Sequence, residues 1–527
     1  MLTDMYSDST LNDVGRSIPS CPPGIGSVRP FRVTASDPFY AREWSVEGGC
    51  PPSGRTKLVQ DLRSALAACQ LKNGTTISFH HHLRNGDRVL NLVLQAIADA
   101  GLEDITLAVS SIFPVHAPLV GHVRNGVVSR IYTSYAAGPV AVALSGGLSL
   151  KSPAIMQTHG GRARAIASGG LPADVAFIAA PTCDRYGNLN GVHGPAACGT
   201  LGYAMVDAQY AQFVVAITDN LVPYPTSPID IAQESVDYVV QVDSIGDPGG
   251  IVSGTTRITD DPMGLQIADL ATQVIDAAGL LVEGFSFQTG ASGISLAVAA
   301  YVKKRMVERG VRGSFASGGI TGALVDMLEA GLFHNLLDVQ CFDHAAIESY
   351  RRNPCHLSMS ASMYASPLRR GCVVDQLDAV ILGATEVDVD FNINVTTASS
   401  GVVIGGYGGH SDTAAGARLA IITTRLNGGS FAKIVDRVTT VTTPGQSIDI
   451  VVTEAGIAVN PIRPELAERL RAAALPVTPI GALRGLAAEA ATHRAEVPSM
   501  EQIVALVEYR DGTIIDVSTD LKLTHRG

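Results

Sequence analysis

One strand-and-turn pattern occurs twice in this chain. Asp174-Val175-Ala176-Phe177 runs through an apolar stretch to Asp184, Asn188 and Asn190, and Asp378-Ala379-Val380-Ile381 runs at the same spacing to Asp388, Asn392 and Asn394. Each half must then be able to form the same structure. The duplication is also an internal control: residues common to both halves serve the shared frame, and chemistry needed only once belongs to one half.

A chain of 527 residues exceeds one ordinary core, since domains run to about 100–200 residues, and two units fit the repeat. Residues 1–55, rich in Ser, Pro and Gly without sustained periodicity, are expected to form an N-terminal arm over the body, or a partly ordered tail. The first unit is then 56–276 and the second 277–527. Thr76-Ile77-Ser78-Phe79 reads as a strand, Arg84-Asn85-Gly86-Asp87 as a turn, and Val89, Val93, Ala96 and Ile97 as one helical stripe ending near Gly101. The second half restates this with Phe285-Ser286-Phe287, a Gly-rich turn and a stripe through Val298, Val302 and Met306 to Gly310. Such alternation predicts an α/β protein with mainly parallel sheets flanked by helices, and ligands at the carboxyl ends of strands, in a pocket between the halves.

Composition narrows the function classes. A hydrophobic fraction of 46 %, 54 glycines and 17 % charged residues describe a packed chain, not a disordered one. The net charge of -11, with no Lys/Arg run, argues against a nucleic-acid partner. Eight cysteines without Cys-x-x-Cys spacing suggest neither a zinc site nor a disulfide framework, so no metal is expected and a reducing, cytoplasmic home is. No stretch is apolar enough for a membrane span, and Met1 to Asn12 lacks the regions of a signal peptide.

Aligning the halves isolates their differences. Gly406-Tyr407-Gly408-Gly409 stands against Gly202-Tyr203-Ala204-Met205, so Gly406 is shared while Gly408 and Gly409 belong to half two. Those two glycines either admit a ligand against the backbone or supply positive φ in a turn. Gln288-Thr289-Gly290-Ala291-Ser292-Gly293 lies between a strand and a helix, where its amides can hold a phosphate or an oxyanion. Its spacing is neither Walker A nor Rossmann. Glu386 stands against Thr182 at the end of a strand, as a base or nucleophile or as a solvated or capping carboxylate. Asn188, Asn190, Asn392 and Asn394, present twice, read as turn residues bonding backbone. Half one alone has His80-His81-His82 with Arg84, and His159-Gly160-Gly161-Arg162-Ala163-Arg164. On a strand only His80 and His82 share a face, which suits an anion pocket or a structural role across the sheet. Cys183, Asp184 and His193 are close in sequence, but nothing orients them as a nucleophile and base.

With these residues in view, the chain resembles the citrate lyase alpha-subunit family, of the acetyl-CoA hydrolase/CoA-transferase superfamily, over roughly residues 60–520. The resemblance rests on Ile77-Ser78-Phe79-His80-His81, Arg84-Asn85-Gly86-Asp87, Ala117-Pro118-Leu119-Val120, Thr158-His159-Gly160-Gly161-Arg162, Glu283-Gly284-Phe285-Ser286-Phe287-Gln288-Thr289-Gly290, Gly318-Gly319-Ile320-Thr321, Leu337-Asp338-Val339-Gln340, Gly408-Gly409-His410-Ser411-Asp412 and Thr453-Glu454-Ala455-Gly456-Ile457-Ala458. It implies two tandem, internally duplicated CoA-transferase-like domains. The implied reaction is transfer of the carrier thiol from acetyl-[acyl carrier protein] to citrate, within an oligomeric complex with a beta subunit and a gamma subunit, the acyl carrier protein. The substrate arm would be the carrier's phosphoribosyl dephospho-CoA.

Relatives that use free CoA carry a glutamate nucleophile shortly before an Asp-Leu-x-Glu-Ala-Gly helix. Here Asp326-Met327-Leu328-Glu329-Ala330-Gly331 matches that helix, but Ala316-Ser317-Gly318-Gly319 precedes it and Gly318 takes the glutamate position. The reading that follows has a citrate carboxylate as nucleophile, Gly290, Ser292 and Gly293 as oxyanion donors, and Gly318 and Gly319 leaving room for citrate. His80, His82, Arg84 and Arg162 bind its carboxylates, and Gly406, Gly408, Gly409 and His410 take the arm. The alternatives are a transferase or hydrolase on free CoA with Glu386 as nucleophile, and a non-catalytic scaffold of a lyase complex.

Overall fold

The computed structural model describes residues 9–22, 24–32, 56–252, 257–493 and 502–520. Two sheets carry the body. The first orders its strands Ile514–Thr519, Ile503–Glu508, Ala154–Gln157, Val128–Thr133, Ile105–Val109, Thr76–Phe79, Val175–Ala179, Phe213–Thr218, Tyr238–Gln241 and Leu58–Val59. The second orders His356–Ser358, Phe333–Cys341, Gly313–Ile320, Ser286–Thr289, Ala379–Gly383, Ala420–Thr423, Ile450–Thr453 and Gly456–Val459. In each sheet one pair is antiparallel, Ile503–Glu508 with Ile514–Thr519 and Ile450–Thr453 with Gly456–Val459, and the other pairings are parallel. Seven consecutive strands of the first sheet, from Ala154–Gln157 to Tyr238–Gln241, match seven of the second, so the expected duplication is one of topology.

The repeated residues do the same work twice. Asp174 accepts a hydrogen bond from the Thr76 amide and Asp378 from the Ser286 amide, each clamping the start of the central strand to its neighbour. Asp184 accepts from the amide and side chain of Asn188, and Asp388 from those of Asn392, closing equivalent turns. Asn190 and Asn394 each donate to a backbone carbonyl across the turn, Pro228 and Thr397. Buried polar groups need such partners, which accounts for their recurrence.

The expected helices form where the apolar stripes lie. Val89–Asp99 buries Val89, Val93 and Ile97, is held at its start by Asp87, and ends before Gly101 at φ +69°. Gly293–Arg309 buries Val298, Val302 and Met306 and stops at Gly310 in the left-handed region, where glycine carries no Cβ penalty.

The division at 276/277 meets two structural facts. Helix Pro262–Ala277 packs against Gly293–Arg309 and two strands of the second sheet, the place that Leu62–Ala68 holds in the first half, so the second repeat begins before residue 262. The chain end returns to the first sheet, where Ile503–Glu508 runs parallel to Ala154–Gln157. Part of the N-terminal arm lies on that hairpin: Phe31 donates its amide to the Ile514 carbonyl, and Arg16 pairs with Asp516 at 3.1 Å. Residues 33–55 lie outside the described residues.

Candidate active site

At the carboxyl end of Thr76–Phe79 the chain leaves the sheet before His80, so side-chain alternation stops and His80, His81 and His82 draw together. The rings of His80 and His82 lie 4.3 Å apart. His81 bonds Ser110 through Nδ1 at 2.6 Å and stacks on Tyr203 at 4.6 Å and on His159 at 5.5 Å. His80 Nε2 accepts the Ala179 amide at 3.1 Å. That leaves His80 Nδ1, both nitrogens of His82 and Nδ1 of His159 buried without a partner. Burial, which disfavours the charged ring, pushes His82 and His159 down to about 3 and His80 and His81 well below the usual range. Burial therefore favours the neutral form of all four imidazoles.

Arg84 joins the group from a left-handed backbone position, φ +50°, a conformation that costs energy outside glycine. Its guanidinium lies 5.6 Å from the Phe113 ring of the first half and 4.8 Å from the Phe342 ring of the second, and Nη1 donates to the Ile251 carbonyl at 3.2 Å. Most of its donors stay free among the described residues. Arg162 differs: it forms a two-pronged pair with Asp207, 2.9 Å on each arm, and donates to the Ala108 carbonyl. The expected carboxylate-binding role of Arg162 fails on this geometry, because its fork is already filled.

The loops of half two meet this group where Gly408 accepts the His159 amide and Gln340 donates to the His81 carbonyl. Gln288 donates to the Tyr364 hydroxyl at 2.8 Å and accepts from Ser317 at 3.1 Å. Gly318 sits against it at φ +104°, where an added Cβ would lie 2.7 Å from the Gln288 amide, and a Cβ on Gly319 would strike the Phe342 ring. These glycines therefore answer to protein neighbours, and the space expected beside them for citrate is filled by Gln288 and Phe342. Gly409 likewise touches Tyr364, Gly408 accepts the His159 amide at 3.0 Å, and Gly406 abuts Ser134 of the first half. Gly202, the counterpart of Gly406, abuts Val339 and Met359 of the second half, so the shared Gly-Tyr start is a reciprocal seam between halves. The expected arm-binding role of Gly406 and Gly409 gives way to this close packing, while a Cβ on Gly408 would stand at an ordinary 3.5 Å from His159 Nε2. His410 is also spent, with Nδ1 on Thr443 at 2.8 Å and Nε2 on the Gly383 carbonyl at 2.9 Å, and burial lowers it to about 4.

The strand-to-helix loop keeps only part of its donors, and the expected oxyanion role of Gly290 fails because its amide is already bonded. Gly290 gives its amide to Ile381, and Ser292 caps helix Gly293–Arg309 through the Ser295 amide. Among the described residues, the amides of Ala291, Ser292, Gly293 and Ile294 have no protein acceptor, the arrangement of an anion cradle at a helix start. Glu386 is buried, accepting from Asn394 at 2.9 Å, the Thr439 amide at 2.8 Å and the Thr439 hydroxyl at 3.2 Å. A carboxylate so occupied is a turn clamp, not a nucleophile. Cys183 is buried with its thiol pushed up by desolvation and donates to the Asp184 carbonyl.

One further cluster escaped the sequence. Asp338, Cys341 and His356, all buried, place ligand-type atoms within 4.8 Å of one another. Their internal bonds account for them: the Cys341 thiol and His356 Nε2 both meet Asp338 Oδ2, at 3.0 and 3.1 Å. Burial and Asp338 push the Cys341 thiol well above its ordinary value, and a protonated thiol is a poor metal ligand. Asp338 Oδ1 holds the Gln340 amide, and Gln340 donates across the seam to the His81 carbonyl at 2.9 Å, so the cluster braces the imidazole group. Tyr364 and Phe342 had no local signal in the sequence, whereas His159, Tyr203 and Gln340 lay inside quoted motifs.

Comparison with known proteins gives this geometry a context. The model of the family "Citrate lyase, alpha subunit (CitF)" matches residues 55–521. The citrate lyase alpha chain of Klebsiella pneumoniae is 45% identical over 490 residues, 93% of this chain and 95% of its own. That of Escherichia coli K12 is 48% identical over 466 residues, 88% and 91%. A crystal structure described as the alpha subunit of citrate lyase from Streptococcus mutans, in complex with citrate, superposes with TM-score 0.93 at 45% identity, covering 97% of this chain and 99% of that one. A Pseudomonas malonate decarboxylase hetero-tetramer shares the fold at TM-score 0.63 and 18% identity, over 81% of this chain and 85% of that one. Matched over most of its length in sequence and in fold, and duplicated as the motifs required, the chain belongs to the citrate lyase alpha-subunit family.

Proposed function

We propose that this chain catalyses the transferase step of citrate lyase, exchanging acetate for citrate on the thioester of an acyl carrier protein. The observation that carries the reading is the set of buried, unpartnered imidazole nitrogens beside Arg84 at the seam of the two halves. Such a group suits a small polycarboxylate, since each ring N–H that lost water on burial regains an acceptor when a carboxylate enters. His80, His82, His159 and Arg84 hold citrate, with His159 and Arg84 taking the part first expected of Arg162.

One citrate carboxylate attacks the acetyl thioester carbonyl. The tetrahedral oxyanion collapses with loss of the carrier thiolate, leaving a mixed anhydride. The thiolate then attacks the citryl carbonyl of that anhydride and acetate leaves. Each oxyanion needs donors, and the free amides at the start of helix Gly293–Arg309 are the candidates for this role, at about 3 kcal/mol per donor lost. No protein carboxylate enters: Gly318 occupies the position of the superfamily's glutamate, and Glu386 is committed to Asn394 and Thr439. The thioester belongs to the phosphoribosyl dephospho-CoA arm of the gamma subunit, and the beta subunit cleaves the citryl product, in a cytoplasmic complex. No helix among the described residues is long and apolar enough to cross a membrane.

The test uses the purified chain with acetyl carrier and citrate, without the beta subunit. Citryl carrier and acetate should form in equal amounts, with no hydroxylamine-sensitive acyl label on the protein. Stoichiometric labelling would replace this mechanism with a protein nucleophile, and binding without turnover would favour the scaffold.

A further inference from the structure

The charges around the imidazole group do not balance a tricarboxylate. Arg162 is neutralised by Asp207, and Arg510 by Asp412 at 3.5 Å. Asp338 is tied to His356 and Cys341, and it adds negative charge behind Tyr203. Tyr135, Tyr203 and Tyr364 are neutral phenols, their ionisation disfavoured by burial. Arg84, packed on Phe113 and Phe342, has no carboxylate partner among the described residues. Citrate would bring three negative charges against one positive, and burying unpaired charge is costly.

We infer that citrate binds together with protons, His82 and His159 each becoming imidazolium as the carboxylates enter, so that ion pairs absent from the empty protein hold the substrate. This rests on the reading of the site as citrate's. The geometry fits the chemistry: His82 has both ring nitrogens free and His159 has Nδ1 free, so protonation gives donors that point to no protein acceptor and await a ligand oxygen. The other two imidazoles fit less well. His81 already bonds Ser110, and His80 already accepts from Ala179, which an imidazolium cannot do. The protons come from solvent, one N–H bond forms on each ring, and no electrons are exchanged. The same carboxylates that would be unstable among neutral rings favour the charged ring once they are within reach.

Calorimetric titration of the full chain with citrate tests this. It is run free of divalent cations, at pH 8 where free citrate is fully ionised, in buffers of differing ionisation enthalpy. The buffer dependence of the heat should report uptake of between about one and two protons per citrate, and affinity should fall up to tenfold per pH unit for each proton taken up. His82→Gln and His159→Gln, with folding checked by thermal melting, should each lower the proton count. Should either variant not fold, carbon-13 labelling of the histidine rings reads the same change in the unaltered chain. Citrate binding with buffer-independent heat overturns the inference and leaves the functional reading standing. Uptake unchanged in both variants overturns it too, placing the proton on citrate. No citrate binding under any condition sinks both.

Discussion

The two halves share a sheet order and a set of Asp and Asn clamps, yet they end their central strands differently. After Thr76–Phe79 the first half presents imidazoles and a guanidinium; after Ser286–Thr289 the second presents bare backbone amides and a helix start. A frame built twice has been furnished once with side-chain donors and once with main-chain donors. On the proposed reading the duplication supplies two complementary walls, and neither half holds a complete site.

The largest effect that would break this comparison is in the first wall. Asp207→Ala strands the buried Arg162 charge and should cost about 3–5 kcal/mol in denaturant unfolding, whereas Ser411→Ala at the matching place in half two removes two neutral hydrogen bonds, to Thr442 and Thr443, and should cost about 1–2 kcal/mol. Equal losses would mean that Arg162 finds another partner. Next, Gly318→Ala forces a left-handed residue and a Cβ onto Gln288, costing about 1–3 kcal/mol and slowing transfer through the Gln288–Tyr364 contact. A normal melting temperature with normal turnover would show that this contact has no role.

The acid side sharpens the contrast further. His82 and His159, lowered to about 3, and His410, lowered to about 4, favour the neutral ring in the fold, while in the unfolded chain a histidine titrates near 6.5. Over that window the unfolded chain binds more protons. Stability is therefore fully present above about pH 6.5 and falls as pH drops towards 3–4, by up to about 1.4 kcal/mol per pH unit for each ring. His82→Gln should flatten this slope by one ring's share, read from urea midpoints between pH 7 and pH 5. The smallest effect belongs to the turn clamp: Glu386→Gln should leave turnover within a few-fold, because an amide can still serve Asn394 and Thr439. Loss of several orders of magnitude would restore Glu386 as nucleophile.

How far the sequence reaches follows from the range over which its signals act. The repeat was readable because Asp174, Asp184 and Asn188 bond within their own unit and recur at fixed spacing, and the helices because their stripes are local. The first repeat's start was readable and the second's was not: Pro262–Ala277 has the look of a final helix of the first half, and only packing reveals it as an opening one. At the site, His80, His82 and Arg84 were singled out because each is polar at the end of a strand, and the 290–293 loop because it differs between the halves. Arg162 drew attention as a basic residue and Gly406, Gly408, Gly409 and His410 through the compared or matched segments, but the partners of Arg162, Gly406, Gly409 and His410, namely Asp207, Ser134, Tyr364 and Thr443, are distant in sequence, and a guanidinium already filled looks in sequence like one that is free. Tyr364 carries no pattern of its own and matters through the residues it meets.

The closing hairpin has a consequence for biogenesis. Until residues 503–508 leave the ribosome, the edge of Ala154–Gln157 has no neighbour, and Gln157 and Arg164 lack Glu508. The lobe translated first is thus the one completed last. Nascent chains should keep an open, aggregation-prone strand edge through most of synthesis, and a truncation that spares every residue of the site would still unseat the first lobe.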